Sequence, residues 1–326
     1  MKTFNEVIGI KNYRPPFWLR NGHIHTIFAS KFLKTDLVPY FRERWDTPDG
    51  DFIDVDLLQD NNKKVLVIGH GLEGSSERPY VQTAARYFFE RGWDVIAWNS
   101  RSCSGEMNLR PKLYSHGDTA DLNFVVSRAT EMDYEKIALV GFSMGGAIIL
   151  NGLGRQGSKV KGPIVAAVAI SAPCDIRAAS QNLEKGFKKL YGKYFLDKLK
   201  EKVKLKAAQF PGFLDTHGID SIKRWREFDE RFSAPLNGLS GADSFYEFSS
   251  ANERLDQIRI PTLIINALDD PILSDQDYPR EGIKSNKYLQ GYFPKFGGHV
   301  GFLQYPIDGP SHAEQAALQF ISQFLD

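Results

Sequence analysis

The chain has 326 residues, of which 42% are hydrophobic and 25% are charged, and its 41 Lys and Arg residues nearly balance its 40 Asp and Glu residues. This composition is that of an ordinary globular protein, and it excludes a disordered or fibrous chain. The formal net charge of +1 gives no overall field that would hold the chain on nucleic acid, so we expect no nucleic-acid partner.

The N-terminal sequence MKTFNEVIGIKNYRPP has no extended apolar run and does not resemble a secretory signal. The longest mostly apolar stretch, GPIVAAVAISAP, is much shorter than the ~20 residues needed to cross a bilayer. Cys103 and Cys174 are the two cysteines of the chain, so we expect no disulfide framework. Together these features predict a cytoplasmic protein.

Short apolar runs alternate with helical patterns from Trp45 onward, which predicts an α/β fold built on a mostly parallel sheet. Strict alternation over residues 52–58 predicts a half-buried strand, and the turn sequence TPDG before it predicts a hairpin with residues 42–47. Further strands are predicted at 65–70, 94–99, 136–142, 164–171, 262–268 and 287–293. Helices are predicted at 77–91, 118–131, 144–153 and 311–325, the last with Ser311 as its N-cap.

A glycine-rich loop, GHGLEG at residues 69–74, follows one of these strands. Its G-x-G-x-x-G spacing fits dinucleotide binding, which requires an acid at the end of the next strand to hold a ribose. That strand ends in WNSR without an acid, although Arg101 would suit the 2′-phosphate of NADP. In a hydrolase, the same loop would supply the backbone N–H of Leu72 to an oxyanion.

The sequence GFSMG at residues 141–145 joins an apolar strand to a helix. A sharp turn there lifts Ser143 above the sheet, the flanking glycines avoid clashes, and the helix N-terminus offers free N–H groups. These features predict Ser143 as a nucleophile and the N–H of Met144 as a second oxyanion donor. The alternative is a glycine-rich corner in which Ser143 only caps the helix.

Residues 175–250 interrupt the alternation, and we interpret them as an inserted helical cap. The catalytic domain is then formed by 41–174 and 251–326, with 1–40 as an N-terminal extension packed on it. From Leu183 to Phe210, apolar residues follow helical spacing among nine lysines and three acids. This helix either packs its apolar side on the core with solvated lysines outside, or contacts anionic lipid and admits acyl chains.

A base and an acid follow the later strands. Asp269 and Asp270 come after the strand at 262–268, and His299 comes after the last strand, within GGHVG. The order serine, acid, histidine is that of nucleophile-elbow enzymes, in which the acid holds one ring nitrogen and the other nitrogen takes the serine proton. His23 and His25 lack a third ligand, so we expect no metal. His116 is expected in a solvent-facing loop, and Cys103 is expected to be packed.

Several spaced motifs resemble the YheT-like branch of the α/β-hydrolase superfamily, a group of hydrolases and lipid esterases. They are NGHIHTI (21–27), HGLEGSSERPY (70–80), NSRSCSGEMN (99–108), GFSMGG (141–146), FDERFSAPLNG (228–238), NALDDP (266–271) and GGHVGF (297–302). The resemblance implies an α/β-hydrolase fold, ester hydrolysis without metal or organic cofactor, and Asp270 rather than Asp269 as the acid. The chain departs from the family at RSCSG (101–105), usually RGCSG, and at YSHG (114–117), usually YHSG.

The sequence therefore predicts a serine esterase that cleaves short- to medium-chain or lipid-like esters through an acyl-enzyme on Ser143. The same residues would serve an acyltransferase or a thioesterase. Two alternatives of other classes are a non-catalytic binding protein of this fold and an NADP-dependent enzyme that uses the loop at 69–74. The expected partners are a small acyl ester and, through the basic cap helix, a lipid surface; the sequence gives no oligomeric state.

Overall fold

The sheet that organises the molecule has eight strands in the order β1-β2-β4-β3-β5-β6-β7-β8, in a computed structural model that describes residues 13–160 and 162–325. β2 pairs antiparallel with β1 and with β4, and every other neighbouring pair is parallel. The predicted α/β-hydrolase fold with a mostly parallel eight-stranded sheet is confirmed. The strands are β1 (Phe41–Thr47), β2 (Asp51–Leu58), β3 (Lys64–Gly69), β4 (Asp94–Trp98), β5 (Lys136–Phe142), β6 (Ile164–Ile170), β7 (Thr262–Ile265) and β8 (Leu289–Tyr292).

Helices cover both faces of this sheet. Alternate residues of β3 point into two separate apolar clusters: Val65 and Val67 pack with α3 and α4, whereas Leu66 and Ile68 pack with α2 and α11. This double burial is why the central strands are continuously apolar. The helices are α1 (Gly22–Lys31), α2 (Pro79–Phe89), α3 (Ala120–Glu131), α4 (Met144–Gln156), α5 (Ile176–Asn182), α6 (Lys189–Gln209), α7 (Trp225–Phe228), α8 (Ala234–Leu236), α9 (Ala242–Ser249), α10 (Arg280–Ser285) and α11 (His312–Ile321).

The predicted hairpin forms, but the prediction that its second strand is half-buried is wrong. Every residue of β2 is buried, including Asp54 and Asp56. Arg44 and Arg42 on β1 cover these carboxylates with paired hydrogen bonds, in which their Nε atoms donate at 2.8 Å. Since both partners of each ion pair lie in the sheet, the polar side of the strand is buried without leaving an uncompensated charge.

The segment between β6 and β7 contains α5 to α9 and a π-helical turn at Asp229–Ser233. Its longest element, α6, packs only in part as the prediction with solvated lysines requires: Leu199 and Val203 are buried in the core, but some lysines are buried as well. Lys200, Lys202 and Lys206 are buried, whereas Phe187 and Leu190 are 55% and 57% exposed. The buried lysines are held by polar partners; the Lys206 Nζ donates to the Asn108 carbonyl at 2.6 Å. The apolar spacing therefore predicts the helix and the burial of Leu199 and Val203, but not the three buried lysines or the exposed apolar residues near its start.

Candidate active site

Ser143 occupies a sharp turn between β5 and α4. Its φ of 52° and ψ of −116° lie in a region that non-glycine residues rarely adopt. Gly141 and Gly145 permit this turn, because a Cβ at Gly141 would lie 2.4 Å from the backbone of Gly145, and a Cβ at Gly145 would lie 2.4 Å from the carbonyl oxygen of Gly69. The turn therefore needs glycine on both sides of the serine, as in a nucleophile elbow.

The structure brings Ser143, His299 and Asp270 into one hydrogen-bonded row. The His299 Nε2 lies 2.9 Å from the Ser143 Oγ, and its Nδ1 lies 2.8 Å from the Asp270 Oδ2. The other carboxylate oxygen of Asp270 accepts the backbone N–H of Ile272 at 2.8 Å. The Asp270 carboxylate is thus fixed by its own turn, and the imidazole ring is oriented between acid and serine.

The loop that carries His299 is fastened by residues from distant parts of the chain. The His299 N–H donates to the Thr26 Oγ1 of α1 at 2.8 Å, and the Val300 N–H donates to the Ser171 Oγ at 2.9 Å. The Gly298 N–H donates to the Asp269 Oδ1 at 2.9 Å. Neighbouring acids thus have different partners: Asp270 contacts the imidazole and Asp269 contacts the backbone of the loop.

Helix α1 packs closely against the turn that contains Asp269, and the glycine at position 22 permits this approach. A Cβ at Gly22 would lie 1.7 Å from the carbonyl oxygen of Asp269, so no larger residue fits without a backbone shift. Within α1, the buried His25 accepts the Leu303 N–H at its Nε2 and has its Nδ1 3.1 Å from the Leu19 carbonyl. The sequence pattern NGHIHTI therefore has a packing role that spacing arguments did not reveal.

The backbone amides of Leu72 and Met144 flank the serine. Met144 is the first residue of α4, where a helix N–H has no intrahelical partner. Among the described residues, no hydrogen bond occupies the N–H of Leu72. Gly71 brings the loop close, since a Cβ there would lie 3.1 Å from the Ser143 Cβ. Two backbone donors are therefore available beside the Ser143 hydroxyl.

His70 holds this loop from behind. Its Nε2 accepts the Ser100 N–H at 2.9 Å, so its Nδ1 carries the proton and donates to the Gly71 carbonyl at 2.7 Å. Burial lowers the pKa of His70 to about 4, which keeps the ring neutral at physiological pH. The histidine of the GHGLEG loop is thus a structural donor and acceptor, and it is not placed as a base.

Arg101 does not support the NADP alternative. Its guanidinium is buried and donates to Asp49, Asp51 and Asp121, with Nη2 2.7 Å from the Asp121 Oδ1. An arginine that is already bound to three carboxylates has no donor left for a 2′-phosphate. The dinucleotide interpretation of residues 69–74 therefore lacks the arginine that would bind the 2′-phosphate.

A polar cluster next to the oxyanion loop was not predicted. Glu73 follows Leu72 with φ at 53°, and its carboxylate lies 2.8 Å from the Lys202 Nζ of α6. The Tyr114 hydroxyl donates to the same carboxylate and accepts the Glu73 N–H at 3.2 Å. The Cys103 Sγ lies 3.3 Å from the Lys202 Nζ and is packed, as expected, against the core. No sequence spacing links these residues, because they come from separate loops and a helix.

Two cavities meet at Ser143. The larger has a volume of about 320 Å³ and lies between α1, α2, α6 and the His299 loop, with mainly apolar walls. The smaller, about 80 Å³, reaches toward α5, α7 and the π-helical turn. His116 lines the smaller cavity, and burial lowers its pKa to about 4, so the expectation of a solvent-facing residue is wrong. Ser143 therefore lines both cavities.

Among residues 13–160 and 162–325, no group of three or more His, Cys, Asp and Glu side chains is placed to hold a metal ion. His23 does not join His25 in a shared site, because its Nδ1 lies 3.0 Å from the Tyr191 hydroxyl while His25 is turned inward. In the same described ranges, no helix combines the length and apolarity required to span a bilayer.

Known proteins share this fold and sequence. A family model described as the alpha/beta hydrolase fold matches residues 64–304. YheT of Escherichia coli (strain K12), which is assigned as an esterase, is 35% identical over 308 residues, with 92% of this chain and 89% of that protein covered. The phospholipase ABHD3 of Mus musculus is 30% identical over 305 residues, with coverage of 90% and 74%.

Solved structures support the fold alone at lower identity. The esterase Pf2001 of Pyrococcus furiosus superposes with a TM-score of 0.59 at 17% identity, covering 90% of this chain and 100% of that chain. The chain therefore belongs to the alpha/beta hydrolase fold family. Within that family it is a relative of YheT, as its motifs predicted, and its enzyme class is carboxylic ester hydrolase.

Proposed function

We propose that this protein hydrolyses carboxylic esters through an acyl-enzyme formed on Ser143. The row of hydrogen bonds from Asp270 through His299 to Ser143, at 2.8 and 2.9 Å, carries this proposal. The Ser143 Oγ attacks the ester carbonyl while the His299 Nε2 takes its proton, and Asp270 stabilises the imidazolium that forms. His299 then gives this proton to the departing alkoxide.

The backbone N–H groups of Leu72 and Met144 would hold the negative charge that develops on the carbonyl oxygen. Both groups lie beside Ser143, and neither is consumed by another hydrogen bond of the described residues. Such preorganised donors stabilise the tetrahedral intermediates that precede and follow the acyl-enzyme. Water activated by the His299 Nε2 would then attack the acyl carbonyl and restore the free serine.

The proposed substrates are esters with an apolar chain of short to medium length, including lipid-like esters. The walls of the cavity of about 320 Å³ support this class, because Phe195, Leu190 and Ile272 offer apolar contact up to Ser143. The relative ABHD3 is a phospholipase, which supports a lipid-like substrate. We propose residues 175–250 as the cap of the catalytic domain and residues 1–40 as an extension packed on it, of which residues 1–12 lie outside the described residues. Thr26 and Ile27 on the wall of the cavity support this role for the described part. The free thiols of Cys103 and Cys174 support the cytoplasm as its location.

A fluorophosphonate probe tests the activated serine without knowledge of the natural substrate. We expect one adduct by intact mass, mapping to Ser143, and loss of both labelling and p-nitrophenyl butyrate turnover in Ser143→Ala. Ser171→Ala is the matched control: its hydroxyl binds the His299 loop rather than the imidazole, so labelling at Ser143 should persist. Turnover by Ser143→Ala equal to that of the wild-type protein would refute the proposal.

A further inference from the structure

The mouth of the larger cavity is bordered by large apolar side chains that are open to solvent. Ile27 of α1 and Leu190 of α6 both line the cavity and are 36% and 57% exposed. Ile24 and Phe32, 50% and 64% exposed, extend the same apolar surface along α1 without lining the cavity. We call the following residues the mouth surface: Ile24, Ile27, Phe32, Phe187, Leu190 and Tyr194.

Contacts between the two helices make the mouth surface continuous. The His23 ring of α1 stacks on Tyr191 of α6 with centroids 5.7 Å apart, and their Nδ1 and hydroxyl groups are 3.0 Å apart. The same ring meets the edge of Phe187 at 5.0 Å, and the Lys31 Nζ lies 4.9 Å from the centre of the Tyr194 ring. The apolar rim therefore belongs to one packed unit that surrounds the entrance.

Positive charge surrounds this rim. Residues 22–34 contain two lysines and no acid, and residues 183–198 contain five lysines and two acids. Both acids have partners: Glu184 accepts the Trp225 N–H at 2.9 Å, and Asp197 pairs with Lys193. Among the described residues, the exposed Lys185 and Lys189 have no ion pair. The two segments that carry the mouth surface thus have a net positive charge, and the acids within them already have partners.

We propose that the mouth surface docks on a lipid bilayer that contains anionic lipids. Apolar side chains would enter the boundary between headgroups and acyl chains while the lysines contact headgroup phosphates. This inference rests on the proposed function in one respect. If the protein hydrolyses esters with apolar chains, docking lets the substrate pass directly from the bilayer into the cavity. A protein partner or a second copy on the same surface would instead close the entrance to Ser143.

Flotation of the full-length Ser143→Ala protein with vesicles tests this docking without hydrolysis. We expect binding to phosphatidylcholine vesicles that contain roughly one third phosphatidylglycerol, weak binding to pure phosphatidylcholine, and loss of binding at high salt. In that background, Lys185→Gln with Lys189→Gln should weaken binding at least about tenfold, since each lysine near an anionic surface contributes independently. Ile24→Ser with Phe32→Ser should weaken it to a similar extent.

The matched control is Lys204→Gln with Leu205→Ser, which removes one lysine and one exposed leucine from α6 outside the mouth surface. This control should bind vesicles like the parent. In the wild-type background, the substitutions at Ile24, Phe32, Lys185 and Lys189 should leave turnover of soluble p-nitrophenyl butyrate unchanged, since none of these four residues lines the cavity. If the wild-type protein binds vesicles but hydrolyses no ester, the proposed function is rejected and the docking proposal stands.

Three results would overturn the docking. One is equal binding to neutral and anionic vesicles, and another is equal loss of binding in the control variant. The third is a dimer in light scattering that Ile24→Ser with Phe32→Ser converts to monomer, because a second copy would then cover the surface.

Discussion

At the scale of single residues, two adjacent carboxylates illustrate how one turn separates two roles. Asp270 faces the imidazole of His299, whereas Asp269 binds the Gly298 N–H and has its second carboxylate oxygen buried without a hydrogen bond. Burial accordingly raises the pKa of Asp269 above its ordinary value. The loop is therefore supported by one acid, and the imidazole of His299 is oriented by the other.

We expect Asp270→Asn to lower kcat for p-nitrophenyl butyrate by about 10³–10⁴-fold, because an amide no longer stabilises the imidazolium. Asp269→Asn should cost roughly tenfold or less, because the amide oxygen can still accept the Gly298 N–H. Steady-state kinetics of both variants, with thermal melting to verify folding, provides the comparison. A larger loss in Asp269→Asn would assign the acid to the neighbouring position.

Lys202 is a second residue at which we expect a substitution to change activity. Its Nζ contacts the Glu73 carboxylate, and Glu73 directly follows Leu72, the proposed oxyanion donor. We expect Lys202→Met to lower kcat about 10–100-fold with little change in KM, since a displaced oxyanion donor weakens transition-state binding. Lys202→Arg should recover part of the loss by restoring the ion pair. The neighbouring Lys204→Met, which removes only the exposed pair with Asp220, should retain full activity. A pure loss of stability in Lys202→Met, with kcat intact, would contradict this role.

Residue patterns in the sequence predict Ser143, Asp270 and His299 because each follows a strand within a short glycine- or aspartate-rich motif. Glu73, Lys202 and Thr26 could not be found in this way. Their contacts join parts of the chain that are far apart, and the Thr26 to His299 bond spans 273 positions. A single sequence contains no distance information of that kind, so positioning residues emerge only once the fold is known.

At the scale of elements, α6 shows what helical spacing can and cannot predict. Apolar residues at helical intervals identify the helix and its core-facing residues Leu199 and Val203, but its buried lysines depend on polar partners elsewhere. The Lys206 Nζ donates to the carbonyl groups of Asn108 and Arg110 at 2.6 and 2.9 Å, which stabilises a cation in a buried position. Without such partners in view, the burial of three lysines on one helix is not an expected arrangement.

The predicted N-cap Ser311 directly precedes α11. Its capping partner Glu314 makes the stability of the protein depend on pH in a way that can be measured. Glu314 accepts the Ser311 N–H at 2.8 Å, and burial raises its pKa to about 8 from an ordinary 4.5. The folded protein then holds a proton that the unfolded chain has released, so this residue costs stability increasingly as pH rises from about 4.5 to about 8.

We therefore expect Glu314→Gln to gain stability relative to the wild-type protein between pH 5 and 8, by at most ~1.4 kcal/mol per pH unit. The glutamine oxygen can still accept the Ser311 N–H. Urea unfolding at several pH values measures the difference in the free energy of unfolding. Glu281→Gln in the exposed first turn of α10 is the control and should show no such trend. A stability difference that is constant with pH would mean that Glu314 ionises in the folded protein as it does in the unfolded chain.

At the scale of the whole molecule, the pattern of apolar residues predicts the strands, the helices and the edge of the sheet. It does not predict the volume of the cavity above Ser143. The cavity is enclosed jointly by α1, α2, α6 and the His299 loop, so its size depends on how four separate elements pack. This is the quantity that decides which esters fit, and it becomes available only in three dimensions.

A cavity of about 320 Å³ with mainly apolar walls lies at the small end of the range of ligand pockets, roughly 300–1,000 Å³. We expect kcat/KM to rise along p-nitrophenyl esters from acetate to acyl chains of about six to ten carbons and to fall for longer chains. Ala29→Phe, which adds a ring to the α1 wall of the cavity, should move the optimum toward shorter chains. The exposed Leu205→Ser variant should not move it, and an optimum that Ala29→Phe leaves unchanged would place the acyl chain elsewhere.

The hydrogen bond from His299 to Thr26 also has a consequence for how the protein is made. Helix α1 leaves the ribosome early, yet the partner of its threonine lies 273 positions later in the chain. At roughly 5–20 residues per second, α1 waits roughly 15–55 s before it can dock. During that interval the apolar side chains of α1 are uncovered and can bind chaperones, and the nascent chain lacks the hydrogen-bonded row of Ser143, His299 and Asp270. The His299 loop is therefore fully supported only after α1 has docked on it.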